Sequence, residues 1–271
     1  MKPELQRRVQ RYGWDKASSY YEKSWADQLK PAQDLLLQMA DLKEGERVID
    51  IACGTGLVTI EAAKKVGING FVLGTDISDK MIEEAKVISA NKHIGNVDFQ
   101  RMDAEELNLN GTLFNAALSA LGIMYYPFPL KACEEMNRVL SNGGRAVTAT
   151  WGDRKNCGWA EIFPIVDSRV ETDVCPLFFQ LGTGDNLRTT FEMAGFRDVQ
   201  SEKISTKLYY KNDEEACLAI FAGGPVAMAY ARFDEKTKEQ AHVEYIDSIK
   251  DFWVNDHYEI PGEFVVACGD K

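Results

Sequence analysis

No stretch of this 271-residue chain approaches the roughly 18 consecutive apolar residues that a membrane-spanning helix requires. Its opening, MKPELQRRVQRYGW, has no apolar segment of the kind a secretory signal carries. A cytoplasmic location with no membrane partner is therefore expected. Histidine is scarce: His93, His242 and His257 are the three, and their spacing suggests neither a metal site nor a triad. They read as surface or structural residues, with His257, next to Tyr258, the first to test as a general base. The six cysteines (Cys53, Cys133, Cys157, Cys175, Cys217 and Cys268) form no CxxC pair, which argues against structural zinc and against a disulfide framework. No metal is expected. Positive charge is short too: 31 Lys and Arg stand against 42 Asp and Glu, and the net charge of −11 repels polyphosphate, so no nucleic-acid partner is expected. Lys2, Arg7, Arg8, Arg11 and Lys16 cluster locally and read as a solvated helix face.

What is present is the pattern of an ordinary globular chain, 45% hydrophobic and 27% charged, long enough for one core domain with insertions. From Val48 onward, short β-branched or apolar runs alternate with helical stretches, the signature of a parallel sheet covered on both faces. Strands are predicted over 46–52, 70–76, 97–102, 113–119 and 144–151, with two more over 197–206 and 263–268. Helices are predicted over 57–66, 79–91 and 130–140, the last ending in a left-handed turn at Asn142-Gly143-Gly144. Three segments fall outside this plan: 1–42, about 152–184 and about 213–251. They are expected as an N-terminal helical lid and two insertions in a main domain spanning 43–271.

The chemistry concentrates in Val48-Ile49-Asp50-Ile51-Ala52-Cys53-Gly54-Thr55-Gly56, a strand running into a glycine turn and then into a helix. Glycines at 54 and 56 remove the Cβ atoms that would block a ligand, and the helix N-terminus offers free N–H donors to a carboxylate. Dinucleotide sites use a similar turn, so the turn alone does not discriminate. Three details do: Asp50 lies inside the strand, where a pyrophosphate would be repelled; Thr59 occupies the third glycine position; and Asp103 ends the third strand. Asp76, 20 residues after Gly56, stands where a carboxylate accepts both ribose hydroxyls, and Asp103 where one accepts an adenine amino group.

VIDIACGTG resembles motif I of class I (Rossmann-like) S-adenosylmethionine-dependent methyltransferases, LGTDIS resembles motif II, and RMDAEEL resembles the adenine contact. Arg138-Val139-Leu140-Ser141-Asn142-Gly143-Gly144 is similar to the RVLKPGG segment of the ubiquinone/menaquinone-biosynthesis-like group, also described as methyltransferase type 11. The resemblance covers about 45–151 and implies an α/β fold, a Rossmann-like seven-stranded sheet of order 3-2-1-4-5-7-6 with the last strand antiparallel and helical lid insertions. It implies S-adenosylmethionine as cofactor, bound by Asp50, Cys53, Gly54, Thr55, Gly56, Asp76, Ile77, Met81, Asp103, Ala104 and Ser119. Asn115 and Ser141-Asn142 depart from the group's pattern, and Trp151 replaces its Glu-Phe-Ser ending, which counts against quinone specificity.

A small-molecule acceptor is favoured over a protein, because the chain is acidic and its accessory segments suit an enclosed pocket. A dinucleotide oxidoreductase or a non-catalytic nucleotide-binding protein is the remaining alternative. The acceptor is expected beside Tyr125, Tyr126 and the 152–184 segment, with Tyr20, Tyr21 and Trp25 contributing from the lid. Residues 1–29 are expected to close over the cofactor, with Trp14, Tyr20, Tyr21 and Trp25 facing inward, and a chain starting near Pro31 is expected to stay folded.

Overall fold

Alternating apolar runs become alternating layers in the computed structural model, which describes residues 2–111, 113–171, 175 and 177–271. A long helix α1 (Pro3–Ala40) leads into β1 (Arg47–Ile51), α2 (Leu57–Val66), β2 (Phe71–Asp76), α3 (Asp79–Asn91) and β3 (Val97–Arg101). There follow β4 (Phe114–Ala120), α4 (Pro129–Val139), β5 (Leu140–Trp151), α5 (Ile162–Asp167), α6 (Asn186–Met193) and β6 (Arg197–Tyr210). Short helices α7 (Asp213–Cys217) and α8 (Ala227–Tyr230), then α9 (Glu235–Ile249), a two-residue β7 (Trp253–Val254) and β8 (His257–Asp270) complete the described chain.

The sheet runs β3-β2-β1-β4-β5-β8-β6, with β7 attached to β8. β1 through β5 pair in parallel, while β8 runs antiparallel to both β5 and β6. With two-residue β7 set aside, this is the expected seven-stranded order. The final strands are longer than the sequence pattern indicated, because β6 and β8 pair from Arg197↔Asp270 through Tyr210↔Tyr258. One core layer sets Val48, Val72, Leu118, Val147 and Phe264 against α1 and α2. The other sets Ile49, Leu73, Ala117 and Val265 against α4 and α6. Strands buried on both faces explain why these segments read as continuous apolar runs.

The glycine pair after α4 does not cap it. The helix ends at Val139, Leu140 is already extended, and Gly143 (φ 76°) lies in a bulge where Phe114↔Leu140 is followed by Ala116↔Arg145. The positive φ was rightly placed, but the ladder claims these residues rather than the helix terminus.

The N-terminal segment departs most from expectation. α1 is one helix of 38 residues, about 57 Å long at 1.5 Å per residue, running through Pro31. Its last third is core: Leu29, Ala32, Leu36 and Ala40 are almost fully buried. The guanidinium of Arg145 on β5 reaches the carbonyls of Ala40 and Asp41, and Cys268 Sγ on β8 lies 3.8 Å from the Met39 carbonyl. Gln28 caps the β6 backbone in both directions, donating to Tyr209 O at 2.6 Å and accepting from Tyr209 N at 2.8 Å. A boundary near residue 42 therefore follows a helix whose end belongs to the main core. A chain cut at Pro31 would lose Trp25 and Leu29 from the core, which counts against its staying folded.

Candidate functional site

β1 ends at the point where the strand order reverses, with β2 on one side and β4 on the other, and α/β folds bind ligands there. The chain turns through Ala52 (φ 57°) and Gly54 (φ 55°) before Gly56 (φ 90°) opens α2. A cavity of about 960 Å³, counting its mouth, lies above this turn and beneath the N-terminal half of α1. Ala52 and, beyond β4, Leu121 (φ 61°) both line it in the left-handed region that β-carbon-bearing residues rarely occupy. Such strain clusters at functional sites, where surrounding structure holds it in place.

Asp76 organises the turn. Its Oδ2 accepts the Gly54 N–H at 2.9 Å and its Oδ1 accepts the Ser78 N–H at 2.9 Å, so one carboxylate ties the β2 end to the β1 turn. Asp50, 1% exposed, accepts from Thr59 Oγ1 at 2.6 Å through Oδ2. The Asp50 Oδ1 and Thr55 Oγ1 atoms are buried with no hydrogen-bond partner among the described residues. Burial pushes the Asp50 carboxyl up to about 7, against the lowering effect of the Thr59 hydroxyl, with the Asp76 charge adding to the rise. Burial likewise raises Asp76 to about 6, although backbone N–H groups of Ser78, Gly54 and Ile77 oppose it.

These shifts make the unliganded protein pH-sensitive. A carboxyl raised above its unfolded value contributes stability that is complete below the unfolded pKa and is lost as pH rises through the folded one. Unliganded protein should thus lose a few kcal/mol between pH 5 and pH 8, while Asp50→Asn, which mimics the protonated side chain, should flatten much of that slope. Thermal melts across this range check it; parallel slopes for both proteins would show that Asp50 does not titrate there.

Among the residues read as cofactor contacts, Gly54, Asp76, Ile77, Met81, Asp103 and Ala104 line the cavity. Asp50, Cys53, Thr55, Gly56 and Ser119 lie behind its wall. Gly56 has a φ of 90°, where a β-carbon is strained whatever the space, and a Cβ there would sit 3.4 Å from the Phe99 ring. Gly54 faces the cavity, with its missing Cβ 3.7 Å from the Tyr21 ring. Cys53 is a buried thiol whose pKa burial raises well above the ordinary value, which removes it as a nucleophile. Ser119 Oγ lies 3.3 Å from the Tyr126 hydroxyl and positions that ring in the wall.

Tyr21, Trp25, Tyr125 and Tyr126 line the cavity, as does Trp14. Tyr20 does not: it is 43% exposed, because one step along a helix turns it about 100° from Tyr21. The placement of Tyr20 at the acceptor is therefore corrected. Edge-to-face ring contacts run from Tyr21 to Trp14 (5.6 Å), Tyr125 (5.2 Å), Phe178 (5.5 Å), Trp159 (5.6 Å) and Trp151 (4.7 Å). This aromatic wall leads from the glycine turn into the 152–184 insertion, whose residues 172–174 and 176 lie outside the described set. Trp159 is 1% exposed, and its indole N–H has no partner among the described residues. None of the three histidines lines the cavity. His257 instead contacts Asp256 at 3.0 Å and Glu259 at 3.2 Å on the β8 surface.

The sequence reading missed the ionic clasp of α1. Arg7, taken as solvated, pairs through Nε with Asp103 at 3.0 Å and through its terminal nitrogen with Glu105, which is 1% exposed. Arg11 pairs with Asp79, and Asp15 accepts from Ser78 Oγ at 2.6 Å and Lys80 N at 3.1 Å. Arg7, Arg11 and Asp15 recur at four-residue steps, a helix-face signal present in the sequence, but their partners lie 63 to 98 positions away and left no local trace. The solvated reading holds for Lys2, Arg8 and Lys16, which are exposed.

Comparison with known proteins adds ancestry to this geometry. The profile of a family described as "Methyltransferase domain" matches residues 42–195. Aklanonic acid methyltransferase DauC of Streptomyces sp. (strain C5) is 32% identical over 132 residues, 49% of this chain and 60% of that protein, so the match spans less than two thirds of the relative. A demethylmenaquinone methyltransferase of Staphylococcus haemolyticus is 29% identical over 173 residues, 59% of this chain and 72% of that one. Among solved structures, the YcgJ protein of Bacillus subtilis superposes with a TM-score of 0.61 at 16% identity, covering 89% of this chain and 98% of its own. Haemonchus contortus phosphoethanolamine N-methyltransferase 2, solved with phosphomonomethylethanolamine and S-adenosylhomocysteine, gives 0.58 at 17% identity, covering 91% and 52%. At these identities the structures show a shared fold.

Proposed function

This chain belongs to the methyltransferase-domain family, its cofactor is S-adenosylmethionine, and on that premise we propose that it methylates a small, flat, largely apolar acceptor held in the aromatic cavity. The observation that carries the reading is the unbroken aromatic wall from the Gly54 turn to Trp151, roofed by α1. An open peptide groove has no use for such a roof. The names of the relatives, which specify aklanonic acid and demethylmenaquinone as acceptors, agree with a ring-shaped acceptor.

The residues present fit the cofactor. Asp76 and Asp103 offer carboxylate oxygens in the cavity lining, Ile77, Met81 and Met102 offer apolar contact for a flat base, and behind the turn the Asp50 Oδ1 is left without a hydrogen-bond partner among the described residues. Bound S-adenosylmethionine supplies an electrophilic methyl group, and the electron pair of its carbon–sulfur bond returns to sulfur. The chain contributes position and exclusion of water: Tyr21, Trp14 and Tyr125 wall the space beside Gly54, and Trp25, Trp151 and Trp159 close the far end. Orientation of this kind accounts for a large share of the acceleration in such displacements.

Among the described residues, no side chain at the aromatic end is fit to take a proton. Burial raises the hydroxyl pKa of Tyr21, Tyr125 and Tyr126 above the ordinary tyrosine value, with the Asp76 and Asp50 charges adding to it at Tyr21. The acceptor must then ionise unaided, as an acidic phenol or enol does, or be nucleophilic as a neutral amine. Accordingly His257→Gln and His242→Gln should leave kcat within about twofold of the parent, since assisted proton transfer is worth about 10²–10⁴ where it exists. The governing test is incubation with methyl-labelled cofactor and a metabolite extract, split into small-molecule and protein fractions. Label in a small molecule, with a mass gain of one methylene, is the expected result; label confined to protein would overturn the proposal.

A further inference from the structure

The outer face of α1 is unlike the rest of this acidic chain. Lys2, Leu5, Arg8, Tyr12, Lys16, Tyr20 and Lys23 follow one another at steps of three or four residues and are all exposed. They therefore form a single stripe about 31 Å long, opposite the face that roofs the cavity. Leu5 is 42% exposed, and Tyr12 and Tyr20 are each 43% exposed, large values for apolar and aromatic side chains. The four cations of the stripe have no carboxylate partner among the described residues. Of the carboxylates nearest in sequence, Asp15 accepts from Ser78 and Glu22 pairs with Lys92 at 3.9 Å, while Glu4 and Asp27 are exposed and form no ion pair with the stripe. A molecule of net charge −11 thus gathers four unneutralised cations and three apolar side chains along one line.

We propose that this stripe docks α1 on the surface of an anionic lipid bilayer. Cations alternating with tyrosine and leucine are what an interface asks for: lysine and arginine heads meet lipid phosphates, while tyrosine rings and leucine sit at headgroup depth. A nucleic acid is the poorer match, because a straight convex helix with aromatics between its charges does not follow a phosphate backbone. The expectation of no membrane partner came from the absence of an apolar run. Among the described residues no helix is long and apolar enough to cross a membrane, but that bears on spanning and not on a helix lying on the surface. Docking would set the roof of the cavity against the phase in which an apolar acceptor concentrates.

The test is co-sedimentation of the full chain with vesicles of phosphatidylcholine alone and with a third of the lipid replaced by phosphatidylglycerol, no acceptor being needed. Its outcome is therefore separate from that of the proposed methylation. Binding is expected on the anionic vesicles only, weakening with salt, and the combined Lys2→Gln, Arg8→Gln, Lys16→Gln and Lys23→Gln variant should bind at least ~30-fold less. That variant should retain its cofactor affinity, which verifies its fold. Equal sedimentation with both vesicle types, none with either, or none lost in the variant overturns the proposal. So does capture of duplex DNA through the same four residues without vesicle binding.

Discussion

Replacing Asp76 by alanine is expected to weaken S-adenosylmethionine binding at least ~100-fold, about 2.7 kcal/mol, through lost charge-assisted hydrogen bonds. The same change strips the acceptor from two backbone donors, Gly54 N–H and Ser78 N–H, so the turn itself should loosen. Unsatisfied buried donors cost about 1–3 kcal/mol each, and the melting temperature should fall as well. Asp76→Asn separates the two effects, since its amide oxygen can still accept one of those N–H groups while the charge is gone. Calorimetry giving both variants an affinity within about threefold of the parent would sink the assignment of Asp76 to the cofactor.

The second large effect concerns the roof. A chain beginning at Ala17 loses Arg7, Gln10, Arg11, Trp14 and Asp15, hence the whole clasp and one ring of the aromatic wall, but keeps Trp25 and Leu29 in the core. It should fold, bind cofactor at least ~30-fold more weakly and turn over little, because the cavity then opens to water. A chain beginning at Pro31 should behave differently. Trp25, 4% exposed, donates from Nε1 to Gly223 O at 3.0 Å and meets the rings of Trp151 and Trp159. Deleting a side chain so placed costs about 3–5 kcal/mol, a large part of a domain's stability. Full activity in the chain beginning at Ala17, or its failure to fold, would show that these residues are not a roof over the cofactor.

How far the sequence revealed this molecule depended on how local each signal is. The β1 turn was legible because strand, glycines and helix lie within one short stretch, and a single chemical logic governs Asp50, Gly54 and Asp76. The sheet order was legible through resemblance, since no periodicity in β6 or β8 states which strand they join. The bulge at Gly143 shows the limit of local reading: a positive φ suits a helix end and a strand bulge equally, and only the pairing of β4 with β5 decides. Tyr20 was misplaced because aromatic density was counted before its angle on the helix was considered. Arg7 was misread because an ion pair with Asp103 and Glu105 has no signature near Arg7 itself. Trp159 and Phe178 could be assigned only to a segment, for nothing local shows that an insertion folds back onto Tyr125.

The packing of the first helix against the last strands sets an order of events in synthesis. Met39 and Cys268, in contact across α1 and β8, stand 229 positions apart, and a ribosome adding about 5–20 residues per second separates them by about 11 to 46 s. For that interval α1 can pack on β1, β4 and β5, but it has no β8 to rest on, and β6, which pairs with β8, is not yet held in the sheet. Contacts of such sequence separation are slow to close and leave surfaces open to aggregation while they wait. The clasp of α1 can close on Ser78, Asp79, Asp103 and Glu105 well before that, whereas the half of the helix that meets β6 and β8 is seated only once those two strands have paired, so full native stability should come with their pairing.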